Sequence, residues 1–76
     1  MKTEPELIVD SDGSKKWYLN GKRHREDGPA VEWADGSKEW YLNGKKLFSR
    51  QLNSKKIQKE HPVLYNAYLI YHVMNQ

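Results

Sequence analysis

Short apolar runs separated by glycine-bearing polar clusters fill the first two thirds of the chain. Leu7-Ile8-Val9 precedes Ser11-Asp12-Gly13-Ser14, and Lys15-Lys16-Trp17-Tyr18-Leu19 follows. Ala30-Val31-Glu32-Trp33 then leads through Ala34-Asp35-Gly36-Ser37 into Lys38-Glu39-Trp40-Tyr41-Leu42. Runs rich in valine and aromatic residues, bounded by Asp-Gly or Asn-Gly, read as strands joined by tight turns. These dipeptides suit two-residue type I′ hairpins, whose central positions both need positive φ. Asp12-Gly13, Asn20-Gly21, Asp35-Gly36 and Asn43-Gly44 together predict a meandering antiparallel sheet. Period-2 alternation puts Trp17 and Leu19 on one face, with Lys16 and Tyr18 on the other. Trp40 and Leu42 repeat the pattern opposite Glu39 and Tyr41. Val31 and Trp33 share a face, and on this reading they join the tryptophan layer. That layer is read as core, with a tryptophan ligand platform as the alternative.

The alternation also repeats as sequence. Residues 12–23 return as residues 35–46 after a shift of 23, with ten of twelve positions identical. A fixed period of this size marks a stacked repeat, and such modules present binding surfaces more often than catalytic centres. Between the units, Lys22-Arg23-His24-Arg25-Glu26-Asp27-Gly28-Pro29 has no counterpart in the second copy. It reads either as a solvated connection with local ion pairs or as an exposed recognition loop.

Two repeats bury little by themselves, since solenoid arrays need about three units and caps. The last third must therefore cover the sheet or pair two chains. Ser49 or Asn53 is the expected cap of a helix over Lys55–Glu60, and Pro62 suits the first position of another. On a helical wheel Val63, Ala67, Ile70 and Met74 line one side, with Leu64, Tyr68 and Tyr71 beside them. A strand over Tyr68–Val73 is the alternative. The expected architecture is α+β, one domain over residues 1–76. It places β-repeats at 7–47 under a helical cap at 49–75, in one or two helices; a homodimer through the tail is second.

Composition narrows the chemistry. With 76 residues and no cysteine, the chain has no disulfide framework and no thiolate metal site. No run approaches the roughly 18 apolar residues of a membrane span, and no signal peptide is read at the N-terminus. A cytoplasmic setting is expected. The net charge of +3 is uneven: −2 over residues 1–11, +2 over 12–47 and +3 over 48–76. His24, His61 and His72 lack the spacing that presents two imidazoles to one ion, so neither a metal nor another cofactor is expected. His24 with Glu26 and Asp27 is the one imidazole–carboxylate cluster, and an exposed loop gives it little desolvation to tune proton transfer. No catalytic residue is assigned.

Trp17-x-x-Asn20-Gly21-Lys22-Arg23-His24, followed by Gly28 and Ala34-Asp35-Gly36-Ser37, resembles the MORN repeat over about residues 7–47. The chain departs from that pattern at Arg25–Pro29, where a MORN unit carries Gly-x-Gly. The His-Arg-Glu-Asp-Gly-Pro-Ala variant resembles small repeat proteins of bacteria and their phages. The resemblance implies hairpins side by side, no catalysis in the repeat, and binding to proteins or sometimes lipid headgroups. The expected function is a non-enzymatic protein-binding module, a phage-type accessory protein that inhibits a host factor in the host cytoplasm. A defence nuclease is one such target, in the manner of an anti-CRISPR protein. Tyr18, Arg23, His24, Arg25, Tyr41 and Lys45 are the expected partner contacts, the tyrosines and arginines being types enriched at interface hot spots. Arg23 and Arg25 are expected to tolerate charge reversal without loss of the fold. The alternative is a nucleic-acid binder using a basic, tyrosine-bearing sheet surface. Weak attraction of Lys55, Lys56 and Lys59 to anionic lipid is the third reading.

Overall fold

The computed structural model describes residues 3–74, apart from the side chain of Met74. Six strands, β1 (Glu6–Val9), β2 (Lys15–Leu19), β3 (Lys22–Arg23), β4 (Val31–Glu32), β5 (Lys38–Leu42) and β6 (Lys45–Leu47), precede three helices. These are α1 (Ser49–Leu52), α2 (Lys55–Glu60) and α3 (Pro62–Met74). The sheet order is β1-β2-β4-β5-β6, with β3 also on β2, and every pairing is antiparallel. The fold is α+β, a meander followed by helices, as the alternation predicts.

The middle lane of the meander is broken in two. The Trp17 carbonyl accepts from the His24 N–H at 3.1 Å, and the Trp17 N–H donates to the Ala30 carbonyl at 2.8 Å. The chain thus leaves the sheet after β3, makes the loop 24–30, and re-enters as β4 beside the same β2 residue.

The turns fall into two kinds. Asn20-Gly21 and Asn43-Gly44 have positive φ at both positions (52° and 82°, then 52° and 83°), the signature of type I′. At Asp12-Gly13 and Asp35-Gly36 only the glycine is positive, at 92° and 93°. Asp10 N–H donates to the Ser14 carbonyl and Trp33 N–H to that of Ser37, so three residues lie within each loop. The aspartates close these loops by accepting from the N–H two residues on, at 2.9 Å in both.

That extra loop residue corrects the face assignment. A two-residue turn at Asp35-Gly36 would set Val31 opposite Trp40; the three-residue turn sets Val31 opposite Glu39 and Glu32 opposite Lys38. A slip of one residue flips every side chain of a strand. Val31 and Trp33 therefore lie on the face of Lys16, Tyr18, Glu39 and Tyr41, and Ala30 replaces them beneath the Trp40 layer.

The helices cover the tryptophan face of the second repeat. Trp40 and Leu47 are buried with Leu52, Ile57, Leu64 and Tyr68, with Leu42, Tyr65, Ala67, Leu69 and Tyr71 packed around them. Trp40 meets Tyr68 and Tyr71 edge-on, with ring centroids 5.8 Å away in both cases. Ser54, rather than Ser49 or Asn53, caps α2: its Oγ accepts from the Ile57 N–H at 3.2 Å. Pro62 opens α3 as expected, and the strand alternative for the tail is excluded. The side of α3 turned inward is that of Leu64 and Tyr68. Val63, Ile70 and Val73 point to solvent, so the Val63–Ile70 line is not the buried one. Leu64 and Tyr68 pack into the Trp40 cluster instead. Met74, assigned to the buried line, and residue 75, assigned to the cap, lie outside the described side chains and residues.

Candidate functional site

With helices and the 24–30 loop on the tryptophan side, the tyrosine side of the sheet carries no helix among the described residues. Its rows run from Ile8 on β1 through Lys16 and Tyr18 on β2, Arg23 on β3, Glu39 and Tyr41 on β5, to Lys46 on β6 and Phe48 beyond it. Cross-strand partners share a face, which fixes these rows from the register Ile8↔Lys16↔Val31↔Glu39 and Tyr18↔Arg23.

Glu39 is the centre. Its Oε2 accepts from Trp33 Nε1 at 2.7 Å and its Oε1 from the Tyr41 hydroxyl at 2.8 Å. Arg23 and Lys46 both approach Oε1 at 4.0 Å. Partial burial opposes ionisation, but the bonds from Trp33 and Tyr41 and the two cations outweigh it and hold the Glu39 carboxyl below its usual range. Arg23 also donates to the Tyr41 hydroxyl at 3.2 Å, and a hydrogen bond with Tyr18 raises its proton affinity further.

Each cation of this face lies over an aromatic ring. Lys16 sits 5.0 Å from the Trp33 centroid, Arg23 5.3 Å from Tyr41 and Lys46 5.3 Å from Phe48. Lys16 is also bonded to Asp10 at 2.8 Å. The result is an ordered array of alternating rings and charges, held before any partner arrives.

The six expected contacts divide. Tyr18, Arg23 and Tyr41 come together here. His24 and Arg25 turn to the other side and are engaged within the fold. His24 is 5% exposed, its Nδ1 accepts from the Asn43 N–H at 2.9 Å, and its Nε2 faces Glu26 at 3.3 Å. Glu26 in turn reaches His61 at 3.3 Å, tying the loop to the residue before α3. Arg25 lies 4.0 Å over the Trp17 ring and donates to Asp27 at 2.8 Å, the Pro29 carbonyl at 3.1 Å and Glu32 at 3.2 Å. The expectation that Arg25 tolerates charge reversal is therefore corrected, because reversal sets a carboxylate against Asp27, Glu32 and a ring face. Lys45 is exposed on the tryptophan side near α2, away from the tyrosine array.

The chain matches no family model, no curated protein and no solved structure. No group of three or more histidine, aspartate and glutamate side chains among the described residues could hold a metal ion. No described helix is long and apolar enough to cross a membrane.

Alternation places Glu39 on this face beside Tyr41 but does not show it as the centre, and it misses Trp33, Lys46 and Phe48 as members of the array. One signal was present in the sequence. Among the twelve aligned repeat positions only Lys16/Glu39 and Arg23/Lys46 differ, and all four side chains lie on this face.

Proposed function

We propose that this chain is a non-enzymatic protein-binding module that docks a partner on its tyrosine face. One observation carries the reading: Tyr18, Arg23, Trp33, Tyr41, Lys46 and Phe48 are organised around a single carboxylate on the side of the sheet without helices. Rigid aromatic and arginine side chains contribute most at protein interfaces because little freedom is lost on docking. The same geometry weighs against base stacking here. The rings already carry cations, and Lys16, Arg23 and Lys46 have carboxylate neighbours, which reduces their value to phosphates.

Within this reading, the MORN-like repeat and its His-Arg-Glu-Asp-Gly-Pro-Ala variant support a small phage-type accessory protein. Its role would be inhibition of a host factor in the host cytoplasm, a defence nuclease being the class of target proposed. The test uses immobilised full-length chain and bacterial lysate with and without nuclease treatment, with wild type beside Arg23→Ala/Phe48→Ala. Retention of one stoichiometric protein by the wild type, lost in a variant of unchanged circular dichroism, is the expected result. Equal retention by both removes the tyrosine face as the docking surface. Capture that disappears on nuclease treatment favours nucleic acid instead.

A further inference from the structure

The two outer strands of the sheet are protected very differently. β6 carries Lys45 and Lys46 and runs directly into α1, both of which discourage pairing with another chain. β1 carries Leu7, Ile8 and Val9, all about half exposed or more (49%, 47% and 57%).

The backbone of β1 is open as well. Trp17 spends its N–H and carbonyl on Ala30 and His24, so its cross-strand neighbour Leu7 receives no bond from it. In an antiparallel pair bonded and non-bonded positions alternate. Asp10, three residues on, donates across the turn to Ser14, which fits this phase. The N–H and carbonyl groups of Leu7 and Val9 therefore point away from the sheet, and among the described residues nothing pairs with them.

Beside this edge, on the tryptophan face, lies a cleft of about 450 Å³ lined by Glu4, Pro5, Trp17, Glu26, Asp27 and Val63, with Arg25 in its wall. Glu4, Glu26 and Asp27 set three carboxylates against the one Arg25 guanidinium, which is paired with Asp27 and shared with Glu32 outside the cleft.

We infer that the β1 edge accepts an extended, basic segment of a partner protein as an added strand, whose cationic side chain enters the Trp17 cleft. Main-chain bonds to Leu7 and Val9 supply affinity, and side-chain pockets supply selectivity. A second copy of this chain is the poorer occupant. Two β1 strands paired about a two-fold axis would bring Glu4, Glu6 and Asp10 of both copies together. The inference concerns a different surface from the tyrosine face and does not depend on it.

The test is amide hydrogen exchange on ¹⁵N-labelled full-length chain. The probe is the capped peptide Lys-Val-Arg-Val-Lys at millimolar concentration. Its controls are a Glu-Val-Glu-Val-Glu peptide and the basic peptide N-methylated on both valines. The basic peptide is expected to slow exchange at Leu7 and Val9 by about tenfold or more, leaving Ile8 unchanged, while neither control does so. Leu7→Pro, which removes only an outward N–H, is expected to abolish the effect. Should that variant unfold, the N-methylated peptide still decides. No slowing at Leu7 and Val9, or an equal response to the acidic peptide, overturns the inference. Slow exchange at both amides that rises with protein concentration alone identifies a second copy as the occupant, and also overturns it.

Discussion

Trp17 and Trp40 occupy the same position in two copies of one repeat, yet they are covered in different ways. Trp40 is enclosed by Tyr68 and Tyr71 of α3 and is 8% exposed. Trp17 stays half-buried beneath the Arg25 guanidinium, delivered by the 24–30 loop. One cover is a hydrophobic core with edge-on rings; the other is a cation held on a ring by its own hydrogen bonds. The tyrosine side shows a second divergence. Lys16 donates to the Asp10 carboxylate, whereas at the equivalent positions Trp33 donates to Glu39. Donor and acceptor have exchanged places on an unchanged backbone. A repeat thus conserves its turns and strand register while its two faces take different duties.

Removing the helical cover is expected to have the largest effect. Leu64 is fully buried beside Trp40, so Leu64→Ala should cost about 2–5 kcal/mol in urea denaturation. Full stability in this variant would show that the helices contribute little to the second repeat.

The loop cover should respond next. A Cβ at Gly28 would stand 2.7 Å from Arg25 Cζ, so Gly28→Ala is expected to push the guanidinium off Trp17 and to cost about 1 kcal/mol through the lost stacking. Arg25→Ala removes the cation from Trp17 together with its bonds to Asp27, Pro29 and Glu32, at a comparable cost. In the Arg25→Ala background the penalty at Gly28 should largely vanish. A double-mutant cycle measures this coupling, and additivity would refute the stacked geometry.

A smaller effect is expected from pH. Glu39, Asp12 and Asp35 all have carboxyl groups held below their usual range in the folded chain. The burial of Glu39 is overcome by Trp33, Tyr41 and the nearby cations; the two exposed aspartates are lowered first by the N–H groups of Ser14 and Ser37. A lowered folded value adds stability above the unfolded carboxylate range, near pH 4, and that stability is lost as pH falls through the folded value. Glu39→Gln should therefore be less stable near neutrality and decline less steeply on acidification. Parallel melts from neutral to acidic pH check this, and an unchanged slope would remove Glu39 from the balance.

Much of this arrangement was legible in the sequence. The Asn-Gly and Asp-Gly pairs locate all four turns, and the apolar runs locate the strands because period-2 patterning is a local property. Loop length was not legible. Asp-Gly serves both two-residue and three-residue hairpins, and that one residue decides whether Val31 lies with Trp40 or with Glu39. The inward side of α3 was hidden for a related reason. Val63, Leu64, Ala67, Tyr68, Ile70 and Tyr71 make the helix apolar around most of its circumference, so only contact with Trp40 selects Leu64 and Tyr68. Arg25 reads as a surface cation in any local window. Its role appears only when the broken middle lane returns the loop to Trp17.

The most direct test compares Trp17→Ala and Trp40→Ala by equilibrium urea denaturation under identical conditions. Both variants should be destabilised, with Trp40→Ala losing about 3–5 kcal/mol and Trp17→Ala less than half as much. Equal losses would mean that the two tryptophans are covered alike, and would contradict the division between the helix-covered and loop-covered repeats.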